Sequence, residues 1–251
     1  MAEARGTTPV VHFRSIGSTN AEAMARAEGG APLWIVAECQ TEGRGRRGRP
    51  WRSEPGNLYA SLLLVDAGPP TRLPELCFVT ALAVHDAIRA VTGLDPLRLA
   101  LKWPNDVLLD GAKLVGILVE GVRRRDGRSA TIIGIGVNCA HFPDDTPYPA
   151  TSLAAAGVPT DAAALHRALD AALWERLAQW QRGAGFDRIR EAWARRAPGI
   201  GGAVSVRQGE GTAEGIFEGL DVSGALVLRR ADGTRQTISA GDVFPSARIG
   251  A

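Results

Sequence analysis

Apolar residues along this chain come in short runs and helical repeats, separated by clusters of glycine, proline and charge. Val10 to Ile16 is apolar and β-prone and predicts a strand, and Ala21 to Ala25 predicts a helix. Thr19, with Glu22 three residues on, has the pattern of a capping box. Leu33 to Cys39 and Leu58 to Val65 read as buried strands. From Arg72 to Thr92 the apolar residues Leu76, Val79, Leu82, Ala83, Val84, Ala87, Ile88 and Val91 recur at helical spacing, and Gly93 ends the pattern. Leu97 to Leu101 predicts a strand. Asp110-Gly111 between two apolar runs predicts a hairpin, and Ser129 to Asn138 a return strand beyond a charged tip at Arg123 to Arg128. That tip reads as a solvated turn. Ala162, Leu165, Leu169, Leu173 and Leu177 mark a long helix, and Phe186 to Ala197 another.

At Pro198-Gly199-Ile200-Gly201-Gly202 the pattern changes. Short β-prone runs follow at Ala203 to Arg207, Thr212 to Leu220, Ala225 to Arg230, Thr234 to Ser239 and from Val243, with turns at Asp221 to Gly224 and Ala231 to Gly233. The expectation is a main domain over residues 1–198 and a small all-β barrel over 199–251.

Composition narrows the class. A formal charge of +2 over 251 residues is not a polybasic surface built for nucleic acid. Met1 to Thr8 lacks the apolar core of a signal peptide, and no run approaches the roughly 18 apolar residues of a membrane span. Cys39, Cys77 and Cys139 are far apart and odd in number, as suits thiols in a reducing cytoplasm. His12, His85, His141 and His166 have no partners at ligand or triad spacing. The expected protein is soluble and cytoplasmic.

Chemistry enters with the cations. Of the 29 basic residues only Lys102 and Lys113 are lysines. Both lie in one stretch, Lys102-Trp103-Pro104-Asn105-Asp106 through Lys113-Leu114-Val115-Gly116-Ile117-Leu118. In so arginine-rich a chain, a retained lysine points to a site that uses a compact ammonium, such as one for phosphate or carboxylate. Gly43-Arg44-Gly45-Arg46-Arg47-Gly48-Arg49-Pro50-Trp51 combines glycine freedom, forked donors and a stacking face. It reads as a nucleic-acid element, as a phosphate-covering loop or as a solvated loop. Its place between two core strands favours the phosphate loop. Ser18 at a helix start is free for a polar ligand. Gly116, Gly134 and Gly136 mark close approach to the backbone, and the missing third glycine and helix speak against a dinucleotide fold. Asn138 either reads a base edge or caps a turn.

Together, Gly17-Ser18-Thr19-Asn20, the Gly43–Arg49 loop with Trp51, and the lysine stretch resemble the biotin protein ligases (biotin–acetyl-CoA-carboxylase ligases). Gly134 to Asn138 and the small terminal domain fit as well, and the resemblance spans about Val11 to Val243. It implies an α+β fold of the class II aminoacyl-tRNA-synthetase and biotin-ligase type, a mixed β-sheet with helices packed on it, plus a small C-terminal Src-homology-type β-barrel. It implies ATP with Mg²⁺ as cosubstrate and biotin as substrate, giving biotinyl-5′-AMP. The carrier lysine of a biotin carboxyl carrier protein then attacks the adenylate. By the same resemblance Lys113, Arg46 and Asp106 are catalytic, with Lys113 bridging carboxylate and α-phosphate. Ser18, Thr19, Asn20, Gln40, Gly43, Arg44, Gly45, Arg46, Lys113, Gly116, Gly134 and Gly136 would bind biotin, the last three giving its bicyclic ring room. Arg44, Arg46, Arg47, Arg49, Trp51, Lys102, Asn105 and Asn138 would bind ATP or the adenylate, with Trp51 and Asn138 near adenine. There is no fixed metal site; Mg²⁺ handling or orientation of the incoming lysine falls to Asn105 and Asp106.

Some relatives carry an N-terminal winged helix-turn-helix, and only about ten residues precede the first strand here. The resemblance therefore implies a ligase without a DNA or membrane role, as monomer or homodimer. Three rivals stand beside it. Lipoate ligation shares the fold, a nucleic-acid module would use the Gly-Arg loop and Trp51, and a non-catalytic biotin-binding regulator would leave both lysines unexplained.

Overall fold

The computed structural model describes residues 7–146, 148–209 and 211–246. A seven-stranded mixed sheet organises the first two thirds, from β1 (Val10–Ile16), β2 (Leu33–Gln40), β3 (Leu58–Val65), β4 (Leu99–Lys102), β5 (Asp106–Leu109), β6 (Ala112–Arg123) and β7 (Ser129–Val137). The spatial order is β1-β2-β3-β7-β6-β5-β4, with β1 parallel to β2 and every other pair antiparallel.

Strand periodicity assigns the two faces. Trp34 of β2, Leu58, Ala60, Leu62 and Leu64 of β3, and Ile133, Ile135 and Val137 of β7 face helices α2 (Leu76–Thr92), α3 (Ala162–Trp180) and α4 (Phe186–Ala194) in the main core. Their alternates face α1 (Thr19–Ala25). At one end these are apolar: Ile35, Leu63, Ala130 and Ile132 pack on Ala23 and Ala27. At the other end the same face carries Ser61, Gly134 and Gly136 in place of large side chains. With both faces covered, β3 is an almost unbroken apolar run. An open floor at one end of the α1 face is what positions the site.

The second sheet holds β8 (Ala203–Gln208), β9 (Gly211–Leu220), β10 (Leu226–Arg229), β11 (Arg235–Ile238) and β12 (Asp242–Pro245), all antiparallel, in the order β11-β10-β9-β8-β12. Val204, Phe217, Leu226 and Leu228 join the main core cluster, and Trp103 Nε1 donates to Gly224 O at 3.0 Å. The two sheets therefore share one apolar interior.

Four local expectations change. Ser18, not Thr19, caps α1: its Oγ accepts from Ala21 N, and Glu22 pairs with Arg26 at 2.6 Å instead of closing a box. Leu97 lies in a short 3₁₀ turn capped by Asp95, 90% exposed, so β4 begins at Leu99. A 3₁₀ turn at Pro70–Glu75 precedes α2 because Pro74 has no N–H to give an α-helix. The Arg123–Arg128 tip is not merely solvated. Arg124, with an 8% exposed side chain, donates to the carbonyls of Ala27 and Gly29 and so ties the tip to the segment that follows α1.

Candidate active site

One cleft collects most of the singled-out residues: Ser18, Thr19, Asn20 and Gln40, then Arg44, Gly45, Arg46, Arg49 and Trp51, then Lys102, Asn105, Asp106, Lys113, Gly116, Gly134 and Gly136. Its inner wall is polar and rigid. Thr19 N–H and Oγ1 both reach Gln40 Oε1, at 2.8 and 3.0 Å. Gln40 Nε2 donates to Ser53 Oγ at 3.0 Å, which fixes the amide so that its oxygen faces α1. Ser61, fully buried, sits 2.8 Å from Thr19 Oγ1 and 2.6 Å from Asn20 Oδ1. Asn20 then turns its Nδ2 onto Glu120 Oε2 at 2.7 Å. Buried polar groups so fully paired specify a single arrangement.

The glycines of the floor leave room for the protein's own side chains. A Cβ on Gly134 would stand 2.2 Å from Asn20 Oδ1. One on Gly116 would stand 2.8 Å from the Trp51 ring, and one on Gly136 2.6 Å from it. The expected space for a ligand ring above these three is thus taken by Asn20 and Trp51. Trp51 correspondingly lies on the strand floor with Lys113 Nζ 5.6 Å from its ring centroid. Its indole Nε1 is buried without a hydrogen-bond partner in the structure.

The arginine-glycine loop closes on itself. Trp51 N donates to Gly43 O at 2.8 Å, Gly45 N to Arg49 O at 2.7 Å, and Arg44 bridges Pro50. Arg47 and Gly48 turn the tip at positive φ, 58° and 71°. Gly43 lies beneath the loop and does not line the cleft; a Cβ there would be 2.6 Å from Trp51 O. Each arginine has an acceptor. Arg44 meets Glu120 at 3.4 Å, and Arg46 donates to Asn105 Oδ1 at 3.1 Å and Gly241 O at 3.3 Å. Arg47 and Arg49 share Asp242 at 3.4 and 2.9 Å. Arg47 stays outside the cleft lining. Burial pushes the Arg46 pKa below its ordinary value, partly opposed by Asp242.

The lysine corner is built by strand register. Asp106 opens β5 opposite Lys102 of β4 and Gly116 of β6. A register shift between Val107 and Leu108 then sets Lys113 opposite Leu108. On its other side the Lys113 backbone is held by the 149–151 segment: Lys113 N donates to Pro149 O, and Thr151 N to Lys113 O. Lys113 Nζ meets Asp106 Oδ1 at 2.7 Å. Lys102 Nζ faces the rings of Phe244 and Tyr148, with centroids 5.2 and 5.8 Å away, and burial pushes its pKa below that of a solvated lysine. Asn138 lies in an adjoining cavity with Trp51, Lys113 and Tyr148, and donates to Thr151 O at 3.0 Å.

Five cations line the cleft against two carboxylates, Asp106 and Asp242, so it suits a ligand bearing several negative charges. A hard cation would find little at the corner. Asn105 Oδ1 already accepts from Arg46, its Nδ2 donates to Ile117 O, and Asp106 is paired with Lys113 while Asp242 is taken by Arg47 and Arg49. Among the described residues no group of three His, Cys, Asp or Glu stands at metal-ligand distance. Such a cation would have to arrive with phosphate oxygens of its own.

Sequence reasoning did not find Tyr148, Asp242 and Phe244 in the cleft lining, nor Ser61 and Glu120 behind it. Period-two alternation on β3 and β6 could have placed Ser61 and Glu120 on the α1 face. Nothing in the local pattern of Asp242–Pro245 signals that β12 reaches the other sheet's site.

Two family models match the chain: the Biotin/lipoate A/B protein ligase family over residues 13–138, and the Biotin protein ligase C terminal domain over residues 199–244. A biotin--[acetyl-CoA-carboxylase] ligase of Paracoccus denitrificans is 42% identical over 234 residues, covering 90% of this chain and 96% of that one. The solved biotin protein ligase of Aquifex aeolicus in complex with biotin and ATP superposes with a TM-score of 0.79 at 26% identity, covering 94% of this chain and 97% of the other. The biotin protein ligase of Leishmania major in complex with biotinyl-5-AMP gives 0.65 at 27% identity, covering 92% and 99%.

Proposed function

The chain belongs to the biotin/lipoate protein ligase family, as a biotin protein ligase, and from that membership we propose how its residues carry the two half-reactions. In the first, biotin and ATP give biotinyl-5′-AMP and pyrophosphate. In the second, biotin passes to a lysine of a biotin carboxyl carrier protein and AMP leaves. Lipoate as the substrate is not favoured, since the C-terminal family model and the relatives are those of biotin ligases.

The observation that carries the assignment of roles is the Lys113–Asp106 pair at 2.7 Å, set between the polar α1 wall and the arginine loop. Two anions must meet for a carboxylate oxygen to attack the α-phosphorus, and a fixed ammonium between them offsets their repulsion. Lys113 takes that place, exchanging Asp106 for the two substrates. Thr19, Asn20, Gln40 and Ser18 hold the ureido ring, and Arg44 and Arg46 cover the adenylate. Trp51 swings off the Gly116 and Gly136 floor as the ring enters, and its unpaired Nε1 supports that movement. Lys102 and Arg49 face the phosphates. Mg²⁺ arrives on the ATP, with Asp106 as the nearest carboxylate. In the second step the carrier amine nitrogen attacks the acyl carbon and the acyl–phosphate C–O bond breaks. Asp106, released from Lys113, orients the amine and takes its proton. Closing the arginine loop keeps water from the mixed anhydride meanwhile.

The division at residue 198 separates the catalytic sheet from the terminal one. The ligase acts in the cytoplasm, as monomer or homodimer, without a DNA partner. ATP–pyrophosphate exchange on the purified chain, with biotin, with lipoate and with no acid, tests the reading. Exchange that needs biotin upholds it; exchange with lipoate alone moves the chain to the sister chemistry; exchange with neither, in folded protein, removes the adenylation reading.

A further inference from the structure

Glu120 stands where the two halves of the cleft meet. It lies on the α1 face of β6, two residues from Leu118 and four from Gly116, and its side chain is three-quarters buried. One carboxylate oxygen, Oε2, accepts from Asn20 Nδ2 at 2.7 Å; the other, Oε1, pairs with Arg44 Nη2 at 3.4 Å. Asn20 is anchored on its other side as well. Its Oδ1 is held 2.6 Å from the buried Ser61 Oγ, and it fills the space that Gly134 leaves. Arg44 is equally constrained on its backbone, through its bridge to Pro50. Among the described residues, Glu120 is the one side chain bonded both to the α1 wall and to the arginine loop at this end.

We infer that Glu120 is a positioning residue that couples occupation of the α1 pocket to closure of the arginine loop. This rests on the biotin-ligase reading of the same cleft. A ligand that fixes Asn20 fixes Glu120, and a fixed Glu120 presents its second oxygen to Arg44. The loop is thereby held over the adenylate by a contact whose strength depends on the pocket behind it. A carboxylate meets both demands; a neutral amide can still accept from Asn20 but loses the charge that draws Arg44. The partly exposed ion pair is worth about 1 kcal/mol at most, so its loss changes retention by up to about fivefold. Removing the acceptor for Asn20 as well breaks a charge-assisted bond and has a larger effect, on the order of tenfold or more in biotin KM.

The test is adenylate retention in a single turnover without carrier. Labelled biotin, MgATP and enzyme in excess are mixed, and the fraction of biotinyl-adenylate passing an ultrafiltration membrane is measured for wild type, Glu120→Gln, Arg44→Gln and the double variant. Glu120→Gln should leak the intermediate about three- to fivefold more than wild type. The double variant should leak no more than Arg44→Gln alone, because one contact has been removed from either end. A merely structural glutamate would give additive leaks, and that result overturns the inference, as does a Glu120→Gln enzyme that retains adenylate like wild type. Glu120→Ala, measured by biotin KM, separates the Asn20 contact: a KM unchanged from Glu120→Gln overturns the coupling to the pocket. Wild type supplies the control for the reading beneath: if it forms no adenylate from biotin, the ligase assignment fails and not the coupling.

Discussion

Lys113 Nζ and Asp106 Oδ1 are 2.7 Å apart, and both side chains are about one-sixth exposed. Their strands are adjacent, and the register shift in β5–β6 is what lets the two side chains face one another. Arginine at position 113 would keep the charge but lengthen and flatten the donor, which the rings of Trp51 and Tyr148, 5.6 and 5.2 Å from the ammonium, leave little room for. Lys113→Arg should slow biotin-dependent pyrophosphate exchange by roughly 100-fold or more, the usual cost of losing a preorganised charge partner. Near-normal exchange would remove Lys113 from the bridging role.

Gly134→Ala tests the floor. The new Cβ meets Asn20 Oδ1 at 2.2 Å, so Asn20 must leave Ser61 and Glu120. Overpacking and two broken buried bonds should cost about 2–4 kcal/mol of stability. Biotin KM should rise at least about tenfold. A melting temperature and KM equal to wild type would show that Asn20 does not occupy this slot in solution.

With Lys102 facing the phosphates as proposed, an alkaline limit on ATP binding is expected. Burial lowers its pKa, so its charge is lost as pH rises, earlier than for a lysine in water, and the attraction to phosphate goes with it. ATP KM should therefore climb on the alkaline side. Lys102→Arg, whose guanidinium stays charged, should shift that climb to higher pH, even if KM at neutral pH is worse. A profile identical in the two enzymes would assign the alkaline limb to another group.

Asp242 ties the arginine loop to β12 through Arg47 and Arg49. Both arginines are nearly half exposed, so the pair is worth about 1 kcal/mol or less. Asp242→Asn should accelerate trypsin cleavage within Arg44–Arg49 several-fold in the ligand-free enzyme. Adding biotin and ATP should restore protection, since phosphates then supply the anion. Equal cleavage rates in the free enzymes would dissociate the loop from the terminal domain.

His166 is buried edge-on to Trp34, and burial pushes its pKa from 6.5 to about 4, with His12 and Arg167 pushing the same way and Asp170 opposing. An unfolded histidine takes up its proton near 6.5 while the folded one resists until about 4. Stability is thus complete above pH 6.5 and falls as pH drops through that window, by about 3 kcal/mol for this group. His166→Phe should remove that share of the acid loss in urea unfolding compared at pH 7.5 and 4.5. An unchanged difference between the two pH values would acquit His166.

The strands and helices were legible because their periods are clean: the runs that became β2, β3 and β7 and the repeat in α2 and α3 were all visible as patterns. The site was legible where chemistry is concentrated in one stretch, as in Gly43–Trp51 and Lys102–Lys113. What stayed hidden depends on tertiary placement. Thr19 has the look of a cap, yet Ser18 takes the cap and frees Thr19 for Gln40, a partner 21 residues away. Arg124 looks like one of several surface arginines until the hairpin tip folds onto the segment after α1. Asp242 and Phe244 become part of the cleft only when two sheets share a core. No local pattern encodes such distances.

Both lysines of the chain point into the cleft, and the other 27 cations are arginines. The enzyme's product is an amide on a lysine, made from an acyl donor that reacts with free amines. Arginine does not compete for it, because a guanidinium remains protonated and non-nucleophilic at any pH the enzyme meets. Adenylate that escapes the cleft therefore meets no lysine acceptor on the outer surface of the ligase itself. A chain so nearly free of its own target group is a poor false substrate, and the carrier protein faces little competition from the catalyst.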